Sequence, residues 1–338
     1  MKIVTLQDMQ VLIGRFGFEN LIIKLVERLD NDFSHWNDFQ LSPRHASHYP
    51  FGVIELMPCS SDQFYTFKYV NGHPKNTQEG KLSVVAIGVL ADVDSGYPIM
   101  LSEMTLLTAL RTAATAVLGA KYLARKDSHR LGIIGTGAQS EFQVRSFKPF
   151  FPIDTVKFFD VDEKAMDKFS KNMEPHFPNL CPCDSVGEAF ENNDIVISAT
   201  ASKKQQQLIA PEQLYQGLHI HAMGGDCPGK TEFSGETIEQ CKVVVEYTEQ
   251  SLLEGEIQQC GESAVYAELR EIISGDKPGR ESDQEITFFD SVGFALEDYS
   301  VLTLINELTD EMKIGKSMDM IPELEDPKNL YALLSAEN

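Results

Sequence analysis

A glycine turn between an apolar run and a helix start is the stretch of this sequence best suited to holding a ligand. Residues 131–140 read LGIIGTGAQS, with Gly135 and Gly137 directly after the apolar run. Gly135 permits a tight turn, Gly137 lets the backbone approach a phosphate, and the helix N-terminus offers unpaired N–H groups. Ser140 stands where a third glycine is usual. The pattern predicts a turn that binds a dinucleotide pyrophosphate.

An acidic residue follows this turn at the distance that dinucleotide binding requires. A second strand-like run over residues 155–159 ends in Asp160, about twenty residues after the turn. A carboxylate there accepts hydrogen bonds from the adenine ribose and repels a 2′-phosphate, so the predicted cofactor is NAD and not NADP. The alternative interpretation is an ordinary strand-to-helix turn followed by a solvated aspartate.

A second glycine-containing turn carries a candidate acid–base residue. Residues 219–223 are typical of a strand, and Gly224 and Gly225 separate them from Asp226. Ligands of open α/β folds bind at the carboxyl ends of the strands, so Asp226 is placed to act as a general base beside a nicotinamide. A turn aspartate ahead of a Pro-Gly pair is the alternative. His219 and His221 lie on the same run, but no further ligand completes a metal site, so no metal is predicted.

Three basic residues occur in otherwise apolar segments of the first third of the chain. Arg44, Lys68 and Arg111 belong to three different predicted elements, and Glu55 stands alone among apolar neighbours. Together the three cations would suit a small carboxylate, to which an arginine forks with two hydrogen bonds. Glu55 is either an edge charge or a partner that orients Lys68. Solvated basic side chains are the alternative for all three cations.

The elements before residue 125 predict one helix and an antiparallel sheet. Apolar residues at helical spacing mark a helix over 18–29, whereas the polar segment 41–48 is turn-like. In the run over 64–70, Lys68 shares a face with Phe64 and Thr66, whereas Tyr65, Phe67 and Tyr69 face the other way. Ser102 is expected to cap a long helix that runs to about residue 124. The strand candidates are 53–57, 64–70, 82–90 and 97–101, with a break at Pro58 and a hairpin turn at 94–96.

From residue 131 onward, strands and helices alternate, which predicts a parallel, doubly wound sheet. A last helix over about 294–314 is expected to return to the first domain. The strand candidates are 131–134, 155–159, 194–199, 219–223, 242–246 and 285–289, with helical segments between them.

Composition excludes several classes of partner. The chain has 338 residues with 29 basic and 51 acidic side chains, a net charge of −22. Such a surface repels nucleic acids and anionic membranes, so neither is an expected partner. No segment reaches the roughly 20 apolar residues of a membrane span, the N-terminus is not typical of a secretory signal, and six scattered cysteines suggest no disulfide framework. A cytoplasmic enzyme with reduced thiols is expected.

The whole chain resembles the ornithine cyclodeaminase and mu-crystallin family, and its bacterial cyclodeaminases most closely. The order and spacing of the shared segments make the resemblance specific. These segments are RHASH (44–48), GVIELMP (52–58), FKYVNGHPKNT (67–77), GVLADVDSGYP (88–98), LRTAAT (110–115), GTGAQSEFQ (135–143), MGGDCPGKTE (223–232), EGEIQQ (254–259) and DSVGFALEDY (290–299).

The resemblance implies a redox-neutral cyclisation of L-ornithine to L-proline and ammonia with tightly held NAD+. Asp226 would be the base at the α-nitrogen and later the acid for ammonia. Arg44, Lys68 and Arg111 match substrate-carboxylate positions, Glu55 matches a residue beside the substrate, and Val292 matches its pocket. The matching cofactor positions are Ser83, Thr112, Gly135, Gly137, Ala138, Gln139, Asp160, Thr200, Met223, Gly224, Gly225, Asp226, Lys230 and Ser291. Ser83 replaces a common Thr, and Met223 a smaller apolar residue.

The resemblance also implies an architecture. It consists of a discontinuous α+β domain for substrate binding and dimerisation (1–120 with 315–338) and a Rossmann-type NAD-binding domain (121–314). A homodimer is expected, in which the sheets of the two first domains close a barrel. Three other activities stay open: a lysine cyclodeaminase, an NAD(P)-dependent amino-acid dehydrogenase or ketimine reductase, and a crystallin-like protein that only binds a small ligand. One methylene separates lysine from ornithine, a difference worth about 1–3 kcal/mol in an apolar pocket.

Overall fold

The structure is a computed structural model that describes residues 1–201 and 205–334. Residues 202–204 lie outside this range, and so do residues 335–338 at the end of the predicted segment 315–338. The strands are β1 (Lys2–Val4), β2 (His45–Tyr49), β3 (Gly52–Ser60), β4 (Phe64–Gly72), β5 (Val84–Asp92), β6 (Pro98–Glu103), β7 (Arg130–Ile134), β8 (Thr155–Phe159), β9 (Asn179–Pro182), β10 (Ile195–Ser198), β11 (His219–Ala222), β12 (Lys242–Val245), β13 (Val265–Glu268), β14 (Thr287–Asp290) and β15 (Lys316–Ser317). The helices are α1 (Leu6–Phe16), α2 (Phe18–Ser34), α3 (Thr105–Leu123), α4 (Ser140–Phe147), α5 (Glu163–Met173), α6 (Val186–Phe190), α7 (Gly235–Ile238), α8 (Thr248–Glu254), α9 (Leu269–Ile273) and α10 (Ala295–Met312).

The first sheet has the strand order β15-β1-β6-β5-β4-β3-β2. Its strands β2 to β6 are antiparallel, as predicted, but β1 pairs with β6 in parallel. Burial alternates along β4, where Thr66, Lys68 and Val70 are buried and Tyr65 is exposed. The predicted assignment of Lys68 to the inner face is therefore confirmed. Helix α10 packs on that face against β3, β4 and β5.

Four local predictions for the first 125 residues were wrong. The helix over 18–29 is confirmed as part of α2, but β1 and α1 precede it. The turn-like segment 41–48 contains β2, an exposed edge strand held by its pairing with β3. Pro58 does not break β3, because β2 pairs with β3 only as far as Leu56 and the missing N–H of Pro58 faces that side. Ser102 lies inside β6, and the Glu103 side chain instead accepts a hydrogen bond from the Leu106 N–H at 3.0 Å at the start of α3.

The second sheet has the order β13-β12-β14-β11-β10-β7-β8-β9, and all its strands run parallel. The predicted α/β class with a doubly wound parallel sheet is confirmed. The chain runs outward from β7 through β8 to β9 and then returns to β10 on the other side of β7. The gap between β7 and β10 is the topological switch point, where ligands of such sheets bind.

Two strands of this sheet have no counterpart among the predicted ones. They are β9 and β13, four residues each, and they form its two edges. Short edge strands lack the continuous apolar run that marked the central strands.

The predicted final helix is confirmed as α10, which also contacts α2 and α3. Helix α3 packs on both sheets, contacting β5 in one and β11 and β14 in the other. No helix among the described residues is long and apolar enough to cross a membrane.

Candidate active site

The predicted cofactor residues after residue 130 lie at the carboxyl edge of the parallel sheet. Because parallel strands end on the same side, loops that are distant in sequence meet there. The edge is formed by Gly135, Gly137, Ala138 and Gln139 after β7, Asp160 after β8, Thr200 after β10, Met223 to Asp226 after β11, and Ser291 and Val292 after β14. Thr112 lies on α3, and Ser83 lies directly before β5.

The two glycines of the first turn have different roles. Gly135 has φ +97°, and a Cβ atom there would lie 2.5 Å from the carbonyl oxygen of Ala199, so only glycine fits. A Cβ atom on Gly137 would meet no protein atom within 4 Å. Lys168 on α5 fixes the turn from behind, donating to the carbonyls of Thr136 (2.8 Å) and Gly137 (3.0 Å). The backbone at Gly137 is therefore rigidly held and open to a phosphate.

Asp160 contacts the glycine turn directly. Its Oδ2 accepts a hydrogen bond from the Thr136 N–H at 2.6 Å, and its Oδ1 accepts one from the Asp162 N–H at 3.0 Å. Oδ2 also accepts the Thr136 hydroxyl at 3.3 Å, whereas Oδ1 keeps a further lone pair. The half-buried side chain can thus accept from a ribose hydroxyl while it holds the turn. The residues present fit a dinucleotide.

Arg44, in the segment before β2, contacts the loop after β14. Its Nη1 contacts both oxygens of Glu55, at 3.1 and 3.3 Å, and its Nη2 donates to the carbonyls of Val292 (2.9 Å) and Gly293 (2.5 Å). Its Nε lies 3.2 Å from Oε2 of Glu254, at the end of α8. Burial lowers the pKa of Arg44, but the carboxylates of Glu55 and Glu254 outweigh burial and raise it. Glu55 is thus a partner of Arg44, and the predicted contact with Lys68 is not formed.

Lys68 and Arg111 share one carboxylate of α10. Lys68 Nζ lies 2.8 Å from Asp298 Oδ1, and Arg111 Nε lies 3.2 Å from the same oxygen. Arg111 Nη1 pairs with Glu297 at 2.5 Å. All four side chains are buried. Burial and the charge of Arg111 lower the pKa of Lys68 to about 8, although Asp298 opposes this. Arg44 and Arg111 both lie close enough to Lys68 to affect its titration, so the structure brings the three predicted cations together.

Asp226 lies at the solvent-facing side of this group. Its side chain is 55% exposed, and its Oδ1 pairs with Lys230 at 3.0 Å. Burial lowers the pKa of Lys230, but Asp226 outweighs burial and raises it. The charge of Asp226 also raises the pKa values of Arg44 and Glu254, which places Asp226 beside the cation group.

Three buried acids hold the turn that carries Asp226. Glu232 accepts hydrogen bonds from Thr200, including its N–H at 2.9 Å, and Glu256 accepts the N–H groups of Glu232 and Phe233. A Cβ atom on Gly224 would lie 2.1 Å from the Glu232 carboxyl, and one on Gly225 would lie 2.5 Å from Glu256. Asp290 accepts the N–H of Ile257 at 3.1 Å. Because Gly224 and Gly225 have no side chains, the turn packs directly against the carboxyl groups of Glu232 and Glu256.

A carboxyl pair supports the loop after β14. Glu246 accepts hydrogen bonds from the Ser291 hydroxyl (2.5 Å) and from the Gly293 N–H (2.7 Å). Glu297 faces Glu246, and burial followed by the charge of Glu246 raises the pKa of Glu297 well above its ordinary value. Glu297 Oε2 accepts a hydrogen bond from Arg111, and Glu297 Oε1 has no donor among the described residues. Predicted Ser291 and Val292 are thus held by residues that also position Arg111.

Several site residues were missed by the sequence reasoning. They are the buried polar side chains that hold the predicted ones: Glu232, Glu246, Gln250, Glu254, Glu256, Asp290, Glu297 and Asp298. Gln250 on α8 accepts from the Arg44 N–H at 3.3 Å and donates to the Gly293 carbonyl at 2.8 Å. The available signal was a pair of acids, Glu297 and Asp298, among mostly apolar residues in the first half of a helix. A buried carboxylate needs a partner, and no acidic partner within their own segments was available to Lys68 or Arg111.

Because the acids under the turn are buried, we expect the free energy of unfolding to fall as the pH rises. Burial raises the pKa of Asp290 to about 7, whereas an unfolded aspartate titrates near about 3.9. The contribution of Asp290 to stability is complete below the unfolded pKa and is lost as the pH rises through the folded pKa. One such group changes the free energy of unfolding by up to about 4 kcal/mol. Asp290→Asn should therefore flatten the decline in stability between about pH 4 and pH 7, measured by denaturant unfolding.

Asp319→Asn is the matched control for this experiment, because Asp319 is exposed. An equal pH dependence of unfolding in wild type, Asp290→Asn and Asp319→Asn would contradict the expectation.

The other candidate chemistry of the sequence has no support from the geometry. The cysteines Cys59, Cys181, Cys183, Cys227, Cys241 and Cys260 form no disulfide in the described part of the chain. Within the same residues no group of three or more His, Cys, Asp or Glu side chains is arranged to hold a metal ion. His219 and His221 are buried on β11, and burial lowers the pKa of His221 to about 3, so it is neutral.

Comparison with known proteins gives consistent matches over nearly the whole chain. The model of the ornithine cyclodeaminase/mu-crystallin family matches residues 7–313. The ornithine cyclodeaminase of Agrobacterium fabrum (strain C58) is 43% identical over 331 residues, covering 98% of this chain and 94% of its own. A solved archaeal alanine dehydrogenase dimer with bound NAD has a TM-score of 0.87 at 32% identity, covering 95% of this chain and 99% of its own. A lysine cyclodeaminase, solved to explain recognition of L-lysine, L-ornithine and L-2,4-diaminobutyric acid, has a TM-score of 0.93 at 26% identity, over 98% and 99%.

Proposed function

Because the chain belongs to the ornithine cyclodeaminase and mu-crystallin family, we propose that it converts L-ornithine to L-proline and ammonia with NAD+. The observation that carries this proposal is the buried group of Arg44, Lys68 and Arg111 with Asp226 beside it, at the carboxyl edge of the parallel sheet. This arrangement offers cations for one α-carboxylate and a base for one α-amine at the place where a nicotinamide is expected.

The proposed cofactor is NAD, held by the residues predicted from the sequence. Gly135, Gly137, Ala138 and Gln139 would hold the pyrophosphate, and Asp160 the adenine ribose. The nicotinamide end would contact Ser83, Thr112, Thr200, Met223, Gly224, Gly225, Asp226, Lys230 and Ser291. When bound, NAD+ would supply an acceptor for the hydride on C2 (Cα) of the amino acid, and its reduced form would supply the donor that returns the hydride to C2 of the cyclic imine.

Two of the three cations retain donors for the substrate carboxylate. Lys68 Nζ has three hydrogens and pairs only with Asp298, and Arg111 Nη2 donates no hydrogen bond within the described residues. The Arg44 guanidinium is occupied by Glu55, Val292 and Gly293, so we propose that it closes the site behind the carboxylate. In this proposal the substrate lies between the two domains.

Asp226 would act on the protons of the α-nitrogen. Hydride leaves Cα only when that nitrogen is neutral, so a base must first remove its proton. The side chain of Asp226 is 55% exposed, and its Oδ1 pairs with Lys230 at 3.0 Å. After ring closure the same group would return a proton to the departing ammonia.

The test is an assay with L-ornithine and a catalytic amount of NAD+. We expect proline and ammonia in equal amounts with no accumulation of NADH. Conversion of the added NAD+ to NADH, one for each ornithine consumed, would instead indicate an amino-acid dehydrogenase, and ligand binding without turnover would indicate a crystallin-like protein. L-lysine is the second candidate substrate, favoured by the structural similarity to the lysine cyclodeaminase. Competition between the two amino acids at equal concentration decides between them.

We propose a homodimer that forms through the outer face of the first sheet. Several large apolar side chains on β3, β4 and β5 are exposed there, namely Leu56, Tyr65, Val85 and Ile87. An apolar face of this kind is typical of an interface, and the archaeal alanine dehydrogenase is a dimer. The molar mass in solution, measured by light scattering, tests this proposal.

The predicted domain boundaries, 1–120 with 315–338 and 121–314, are also kept as a proposal. The arrangement of β1 to β6 with β15 in one sheet, and of β7 to β14 in the other, supports them.

We further propose a cytoplasmic location, which the cysteines without disulfides support.

Replacing Gly137 tests the cofactor site without disturbing the fold. Gly137→Ala is expected to weaken NAD+ binding at least tenfold, about 1.4 kcal/mol, because the added methyl group points where the phosphate would lie. Its melting temperature should stay within about 2 °C of wild type, since no protein atom lies within 4 Å. The dissociation constant is measured by isothermal titration calorimetry. Gly135→Ala is the contrasting variant, which should lose stability. Unchanged NAD+ affinity in Gly137→Ala would contradict the proposed site.

A further inference from the structure

Glu254 lies in the site but takes no part in the reaction steps assigned to Asp226 and the three cations. It is the last residue of α8 and begins the segment EGEIQQ. Its side chain is buried, 7% exposed, and its Oε2 lies 3.2 Å from Arg44 Nε without the geometry of a hydrogen bond. No group in the described residues donates a hydrogen bond to this oxygen. A buried carboxylate oxygen without a donor is costly unless a ligand supplies one.

The other carboxylates near Arg44 are already engaged. Glu55 contacts Arg44 Nη1 through both of its oxygens. Asp226 pairs with Lys230. Glu254 therefore remains as the carboxylate able to accept a proton from a further cationic group.

The proposed reaction brings such a group into the site. A diamino acid has a distal amine, which arrives protonated because an alkylammonium ion titrates near about pH 10. This amine cannot attack C2 before it loses a proton. Asp226 acts on the α-nitrogen in the proposed function, so the distal nitrogen requires a second acceptor.

We propose that Glu254 is this acceptor and that it selects amino acids with a distal ammonium group. The inference rests on the proposed function. One proton passes from the distal ammonium to the Glu254 carboxylate, leaving a neutral amine. The lone pair of the amine forms the new bond to C2, and the C2–N double-bond pair moves to the α-nitrogen. The ring nitrogen, which now carries two hydrogens and a positive charge, loses one proton to solvent, and the α-nitrogen takes a proton from Asp226. The lone pair of the ring nitrogen then forms the C=N bond of the cyclic imine as the bond from C2 to the α-nitrogen breaks, and ammonia leaves with that bonding pair, so atoms and charges balance.

The surroundings of Glu254 suit a group that both accepts and returns a proton. The pKa of Glu254 is raised to about 7, mainly by burial, which outweighs the lowering effect of the Arg44 charge, with smaller raising contributions from the charges of Glu55 and Asp226. The charged groups that face Glu254 are Glu55 on β3, Asp226 in the turn after β11 and Arg44 in the segment before β2. A carboxyl group with such a pKa is partly ionised at neutral pH, where general acid–base exchange is efficient.

The test compares Glu254→Gln with wild type on two substrates. L-ornithine carries the distal amine, and L-norvaline has the same carbon chain without it. The variant should make proline from ornithine about 100-fold more slowly. Its single-turnover rate of NADH formation with norvaline should stay within about threefold of wild type, because that step does not involve the distal nitrogen. The acid limb of the pH profile of kcat near pH 7 should also disappear.

Controls separate a chemical role from a structural one. Melting temperature and NAD+ affinity show whether Glu254→Gln folds, and Glu254→Asp, which keeps a carboxylate, should retain more activity than the Gln variant. An equal loss with both substrates would overturn the proposal, because Glu254 would then only orient Arg44. Unchanged proline formation would overturn it as well. If wild type makes no proline from ornithine, the proposed function itself fails, and this inference with it.

Discussion

Asp226→Asn is expected to lower the rate of proline formation from L-ornithine by about 10²- to 10⁴-fold, the usual contribution of general acid–base catalysis. Asparagine keeps the shape of the side chain but cannot take a proton from the α-amine. Because Asp226 is 55% exposed and its main contact is Lys230, its replacement should have little effect on folding. The measurement is kcat, with proline quantified directly.

Glu239→Gln is the matched control for this prediction, because Glu239 is an exposed acid outside the site. It should retain full activity. Melting temperatures of both variants should match wild type within about 2 °C. Activity of Asp226→Asn equal to that of the control would remove Asp226 from the mechanism and would weaken every enzymatic interpretation of the site.

Asp298→Asn should lower the free energy of unfolding by about 3–5 kcal/mol, the cost of breaking a buried ion pair by removing one partner. Asp298 is shared by Lys68 and Arg111, and all three side chains are buried. Without this carboxylate the pKa of Lys68, already lowered to about 8, should fall further. The lysine then becomes neutral near physiological pH, and KM for ornithine should rise. Urea unfolding and steady-state kinetics measure the two effects.

Glu307→Gln provides the control on the same helix. Glu307 lies on α10 and pairs with Arg28, but its side chain is 51% exposed. Exposed pairs of this kind contribute about 0–1 kcal/mol, so this variant should unfold almost like wild type. If Asp298→Asn and Glu307→Gln lowered the free energy of unfolding equally, the buried position of Asp298 would not make its ion pairs more stabilising than an exposed pair.

The features predicted correctly from the sequence are those encoded locally. The glycine turn and its strand were recognisable because the apolar run, the glycines and the helix start are adjacent in the chain. The inward direction of Lys68 followed from the period-two alternation of β4. The parallel sheet followed from the alternation of strands and helices, apart from its short edge strands β9 and β13.

The support of the site was not predictable in this way, because it consists of contacts between distant residues. Lys68 and Asp298 are 230 positions apart, and Arg44 and Val292 are 248 apart. Their pairing depends on α10 returning to the inner face of the first sheet. The strand β2 was missed for the same reason, since a polar edge segment becomes a strand only through its partner β3. The predicted roles of Arg44, Lys68, Asp226 and the cofactor residues stay predictions.

The most direct test of the central claim, that a hydride is borrowed from the substrate and returned, uses L-ornithine deuterated at C2. The labelled substrate is incubated with a catalytic amount of unlabelled NAD+, and proline is examined by mass spectrometry and NMR. We expect proline that retains deuterium at C2, formed without accumulation of NADH. Proline without deuterium at C2, or one NADH released for each substrate consumed, would contradict the proposed reaction.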